Sequence, residues 1–187
     1  MTMVELLVVM AMFSGLLTIV YGVLITIQHQ TADTVRRADA VDQARIGLAE
    51  IDRQVRSGNV LYDPASTDEL PLAMRVYSQA NGARRCVQWQ VFDGHLRMRS
   101  WEGSTSGGYS NVSAWRTVAR NLVNTAGTPP FQLEGASSPY GSRLINVRLL
   151  VKTPDSGGQP IEVQSSLSGR NTQYGYNPGT CTPIPPA

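Results

Sequence analysis

The sequence predicts an α+β protein: a long N-terminal α-helix packed on an antiparallel β-sheet head. Two observations carry that class. Leu6 to Ile27 are 22 consecutive positions without a charge, followed by an amphipathic helical pattern to Ser57. From Leu70 onward the apolar period then changes from 3.6 to 2. The chain is 187 residues long, 42% hydrophobic and 16% charged, with a formal net charge of +2. Those averages exclude collagen, an acidic disordered tail, a multi-span transporter and a dense disulfide scaffold. They conceal an apolar rod joined to an ordinary polar head.

The apolar run is long enough to span a bilayer as a helix. It lacks the basic flank of a signal peptide or signal anchor, and no small-residue cleavage site ends it. The expectation is an N-terminus produced by proteolysis, with Met1 carrying the free or methylated amine. Glu5 lies at the edge of the run. A carboxylate at membrane depth costs a few kcal/mol unless it is partnered. Two settings satisfy it: the Met1 amine of an axially staggered neighbouring helix, or the headgroup layer. Gly15 and Gly22 interrupt the run and permit close helix packing or local unwinding.

Residues 28–57 continue as helix. Val41, Ala44, Leu48, Ile51 and Val55 are spaced three and four apart and form one apolar face. Asp33 with Arg37 and Asp52 with Arg56 are i,i+4 pairs; Asp42 with Arg45 and Glu50 with Arg53 are i,i+3 pairs. Ser57-Gly58-Asn59 supplies the stop. The expected organisation is therefore a helix over 1–57, with 1–28 in membrane or filament core and 29–57 packed on the head, then a head over 58–187.

In the head, Val87, Trp89 and Val91 alternate with Gln88, Gln90 and Phe92. Asp93-Gly94 is a hairpin turn signal, and Leu96, Met98 and Ser100-Trp101 lie on the return strand. Leu144, Asn146-Val147, Leu149 and Val151 form another strand. A turn at Pro154–Gly158 leads to its partner through Ile161, Val163 and Leu167. About four strands with one face on the helix seam make a head large enough for a core. Residues 103–110 read as a surface loop and 168–187 as an irregular tail.

The start Met1-Thr2-Met3-Val4-Glu5-Leu6 resembles a processed type IV pilin or type II secretion pseudopilin. Met1 stands where Phe is common, and Gly22 where many pilins carry Pro. Ile51–Ser57, Cys86–Arg99, Val118–Leu122 with Phe131, Arg143–Val151 and Ile161–Asn171 resemble the heads of W-type minor pilins and J-type minor pseudopilins. The resemblance implies cleavage by a prepilin peptidase, N-methylation of Met1, and residence in the membrane as a single-pass protein before assembly. It also implies an inner-membrane assembly platform and helical packing with copies or other pilins, through Glu5 and the Met1 amine. The filament would stand on the cell surface, or in the periplasm for a pseudopilus. The rival reading is a single-pass anchored adhesin or receptor that does not polymerise.

Cys86 and Cys181 are the only cysteines. In an exported protein an even pair favours a disulfide pinning the tail to the hairpin; in a reducing compartment they are two thiols. The two histidines, His29 and His95, cannot build a His-rich metal cluster, and no hydrolase or phosphate-loop motif occurs. Asp63, Asp68 and Glu69 could hold a cation, but they read more simply as solvated loop positions. Trp89, Trp101 and Trp115 read as core rather than as a binding patch. No enzyme activity, cofactor or metal is expected. Residues 58–187 hold eleven basic and eight acidic side chains, a net +3, too sparse for nucleic acid as the main ligand.

Overall fold

A computed structural model describes residues 2–80, 82–135, 143–152, 159–169 and 176–186. Two compact units divide between Asp39 and Ala40. One helix, α1 (Met3–Ser57), runs through both. Thr2 caps its start: the Glu5 and Leu6 amides donate to the Thr2 carbonyl at 3.1 and 3.3 Å. Helix and antiparallel strands thus form the α+β arrangement expected from the two periodicities.

The second unit contains nine strands among the described residues. They are β1 (Val60–Leu61), β2 (Ala73–Ala80), β3 (Ala83–Phe92), β4 (His95–Gly103), β5 (Tyr109–Ser110), β6 (Arg116–Ala119), β7 (Phe131–Leu133), β8 (Leu144–Val151) and β9 (Ile161–Ser168). This corrects the expectation of about four strands on one face. Two sheets form: β1-β2-β3-β4-β5 with β6 also on β4, and β7-β8-β9. The short strands β1, β5, β6 and β7 are two to four residues long, too short to show a period of two.

The predicted hairpins form. Trp89 pairs with Met98 and Val91 with Leu96 across β3 and β4. The turn uses Asp93 at φ 48° and Gly94 at φ 70°, the two left-handed residues that a tight twisted hairpin requires. β8 and β9 pair antiparallel from Leu144↔Ser168 to Val151↔Ile161. The intervening turn at 154–158 lies outside the described residues.

The α1 seam is Ala40, Ala44, Gly47, Ile51 and Val55, all buried. Ala40 replaces Val41 and Gly47 joins in, while Val41 and Leu48 are half-buried. The reason at Gly47 is close approach: a Cβ there would lie 2.8 Å from the Leu96 Cδ2 atom. Three of the predicted helix ion pairs close, Asp42–Arg45, Glu50–Arg53 and Asp52–Arg56. Around this seam pack Met74, Val76, Trp89, Leu96, Phe131, Ile145, Val147 and Leu149 in one core. Gly58 follows the helix because a Cβ would meet the Val76 Cγ1 atom at 2.5 Å; no left-handed cap is involved. Asn124 clips the segment after β6 to β8, its amide donating to the Arg148 and Thr128 carbonyls while its oxygen accepts from the Leu150 amide.

Candidate functional site

Two features have functional character: the uncovered half of α1, and the far face of the six-stranded sheet.

From Met3 to Ile27 eighteen large apolar side chains are exposed, the least of them Leu17 at 42%. They cover every side of the helix, so no rotation buries them against a single surface. This helix is long and apolar enough to cross a membrane once. Three of its hydroxyls bond to the helix's own backbone. Ser14 donates to the Met10 carbonyl at 2.8 Å, and Thr18 and Thr26 donate to the Ser14 and Gly22 carbonyls at 2.9 Å. Such i−4 bonds satisfy the polar atoms where the surroundings offer no partner. The helix is continuous through Gly15 and Gly22, and a Cβ at either would meet nothing within 4 Å.

Glu5 Oε2 accepts the Thr2 backbone N–H at 3.4 Å. With Thr2 at the cap and Glu5 three residues on, this is the carboxylate half of a capping box, and it places a negative charge at the positive end of the helix. Met1 lies outside the described residues. His29 is exposed on the helix, and the His95 Nδ1 atom lies 2.5 Å from the Asp93 carbonyl oxygen.

On the far face of the six-stranded sheet, the side chains opposite the core are also buried. The expected alternation of apolar-in and polar-out therefore fails at Arg75, Gln88, Gln90 and Arg99, which are 3%, 0%, 4% and 3% exposed. The polar groups satisfy one another. Arg75 pairs with Glu69 at 2.5 Å, both side chains almost wholly buried. Gln88 donates to Glu69 at 2.8 Å and accepts from Arg99 Nε at 3.0 Å. Glu69 is thus no solvated loop residue and is already engaged by two donors, leaving Asp63 and Asp68 outside the network. No group of three or more metal-ligating side chains occurs among the described residues.

The tail covers this face. Cys86 and Cys181 form a disulfide with their Cα atoms 5.7 Å apart. Arg75 Nη1 donates to the Cys181 carbonyl at 2.8 Å. Arg99 Nη2 and Nη1 each donate at 2.6 Å, to the carbonyls of Pro185 and Pro186. Pro carbonyls suit this task because the residue has an acceptor and no competing N–H. Val60, Tyr77, Cys86, Trp101 and Cys181 make a second small core beneath, with Tyr62 and Tyr176 against it. The tail is irregular, as expected, apart from a single 3₁₀ turn at Pro178–Cys181. Residues 170–175 lie outside the described residues.

Trp89 and Trp101 are buried and Trp115 is half-buried. The Trp115 ring lies under two guanidinium groups, Arg97 at 4.2 Å and Arg99 at 4.4 Å, and Arg97 also covers Phe92 at 4.1 Å. Stacking on ring faces offsets part of the cost of holding two like charges side by side. Burial lowers the pKa of Arg99 from its ordinary value; the Arg97 charge adds to this and Glu69 opposes it. Burial likewise raises the Tyr62 hydroxyl above its ordinary value.

Sequence reasoning locates Glu5, the apolar run and the cysteine pair. It misses Arg75, Arg99 and Gln88, because a polar residue at every second strand position signals a solvated face unless its partners are known. One usable signal exists: Arg75, Gln88 and Arg99 occupy cross-strand neighbouring positions, which a β2-β3-β4 register would have shown. Comparison with protein-family models gives no match, and a search of curated proteins finds none.

Proposed function

We propose that this chain is a structural subunit of a filament of the type IV pilus or secretion-pseudopilus kind, inserted in the membrane before assembly and polymerising through the first half of α1. The observation that carries the reading is the set of eighteen uncovered apolar side chains between Met3 and Ile27. Each stabilises by about 1.5–3 kcal/mol when fully removed from water. Lipid removes them from water before assembly, and copies of the same helix can do so afterwards. A tether for a monomeric adhesin needs only the first of these settings.

Glu5 supplies what a simple anchor does not need. In a bundle of staggered helices its carboxylate would accept the Met1 amine of a neighbour, so that neither charge remains alone in an apolar core. The Thr2 N–H already holds the carboxylate at the helix end, while the remaining lone pairs stay available to a second donor. The cleavage that would expose the Met1 amine, and its methylation, follow from the resemblance of residues 1–6 to processed pilins.

The test is Glu5→Ala and Glu5→Gln in the native host, with filaments sheared from the surface or released from the periplasm. Subunit content is read by immunogold electron microscopy, and folding of the head by the intact Cys86–Cys181 disulfide. The expected result is a folded, membrane-resident subunit absent from filaments. Normal incorporation of both variants would sink the polymerisation reading and favour the anchored adhesin.

A further inference from the structure

The second half of α1 meets the six-stranded sheet along a groove of about 320 Å³ lined by Glu50, Arg53, Arg85, Met98, Ser100 and Arg116, among others. Three guanidinium groups face one carboxylate there. Arg53 takes that carboxylate, donating to Glu50 Oε1 at 2.6 Å. Burial raises the Glu50 pKa, but hydrogen bonds from Arg53 and Gln54 and the charges of Arg53 and Arg116 outweigh it, and the net shift is downward. Glu50 is therefore a committed counter-charge.

Arg85 and Arg116 have no carboxylate partner among the described ion pairs. Arg116 Nη2 reaches only the Met98 sulfur at 3.0 Å, and a thioether is a weak acceptor. Arg85 Nη2 makes one long bond to the Ser100 hydroxyl at 3.3 Å. A guanidinium fork matches an oxyanion with two parallel donors. Here two forks and a hydroxyl line one groove from β3, β6 and β4, a donor set that suits three or four oxygens better than the two of a carboxylate. The larger groove on the three-stranded sheet, about 520 Å³ and lined by Gln132, Asn146, Arg148 and Gln164, differs: its Arg148 is already paired with Glu162 at 2.7 Å.

We propose that the Arg53–Arg85–Arg116 groove binds a tetrahedral oxyanion, a phosphate or sulfate group, with Arg85 and Arg116 as its forks and the Ser100 hydroxyl as a further donor. Glu50 limits the affinity by competing for Arg53 and repelling the ligand. This function is independent of the apolar helix and of filament assembly.

The experiment uses the full chain in non-ionic detergent micelles. Arg Nε resonances and calorimetry follow titration with sodium sulfate, inorganic phosphate, glycerol 3-phosphate as a probe for an esterified group, and succinate as a planar control. Sulfate and phosphate should bind with Kd of about 1 mM or tighter and more weakly as salt rises. Arg85→Gln and Arg116→Gln should each weaken binding about tenfold, the scale of one charge-assisted hydrogen-bonding group. Glu50→Gln should strengthen it, and Arg148→Gln should leave it unchanged. Tighter binding of glycerol 3-phosphate than of phosphate assigns the natural ligand to an ester; equal binding assigns it to the free ion. No binding of any tetrahedral anion, equal affinity for succinate, or an unchanged Kd in the Arg85→Gln/Arg116→Gln variant overturns the proposal. All four positions except half-buried Glu50 are exposed, so the variants fold, and an intact disulfide together with unchanged circular dichroism verifies it.

Discussion

Removing the tail's covalent anchor, in a Cys86→Ala/Cys181→Ala chain, tests whether the tail is part of the folded unit or an attachment to it. The disulfide joins residues 95 apart in sequence. In the chain-entropy description a loop of about that size restricts the unfolded ensemble by roughly 4.7 kcal/mol, and measured losses for native disulfides run about 2–5 kcal/mol. The remaining tail contacts are non-covalent: Arg75 on the Cys181 carbonyl, Arg99 on the Pro185 and Pro186 carbonyls, and the Cys181 amide on the Tyr62 hydroxyl at 3.3 Å. They survive the substitution and hold the native tail in place, so the change acts mainly through the unfolded state. The expected loss is about 3–5 kcal/mol, or roughly 10–20 °C in Tm for a unit of this size. Urea unfolding of the full chain in micelles, followed by near-ultraviolet circular dichroism, measures it. Hydrogen exchange should show amides of 176–186 losing protection before those of β3 and β4. A loss under about 1 kcal/mol would refute the reasoning, because the cross-link would then not be restricting the unfolded chain.

Two further predictions concern the same face. Arg75→Met strands the Glu69 carboxylate, whose side chain is 0% exposed, and should cost about 3–5 kcal/mol. Glu69→Leu added to it should recover at least about 2 kcal/mol, and a double variant no more stable than the single in urea would contradict the pairing. Gly103→Ala places a methyl group against the Thr180 carbonyl and 2.8 Å from Cys86 Sγ. It should loosen the tail and lower stability by about 1–3 kcal/mol, seen as faster exchange at 176–186; an unchanged exchange pattern would show that the tail can yield there.

Much of the molecule was legible in the sequence wherever a local rule decides the outcome. A 22-residue uncharged run has few structural solutions. Asp93-Gly94 names its own turn, since only residues tolerant of positive φ fit there. β8 and β9 read correctly because one face of each is apolar. These signals depend on residues near one another in the chain.

What only the tertiary structure decided depends on residues far apart. Gly47 belongs to the helix seam because Leu96 presses against it, and nothing within α1 announces that. Gln88 and Arg99 look like solvent-facing residues until Glu69 from the preceding loop and the Pro185–Pro186 carbonyls from the tail arrive as partners. Burial of a polar group is set by whether its donors and acceptors are met, and that cannot be read before the partners are assembled. The same holds for Arg85 and Arg116, which the fold brings into one groove with no ion pair among the described residues. The apolar helix is the opposite case: its surface was fully specified along the chain, and folding leaves it uncovered.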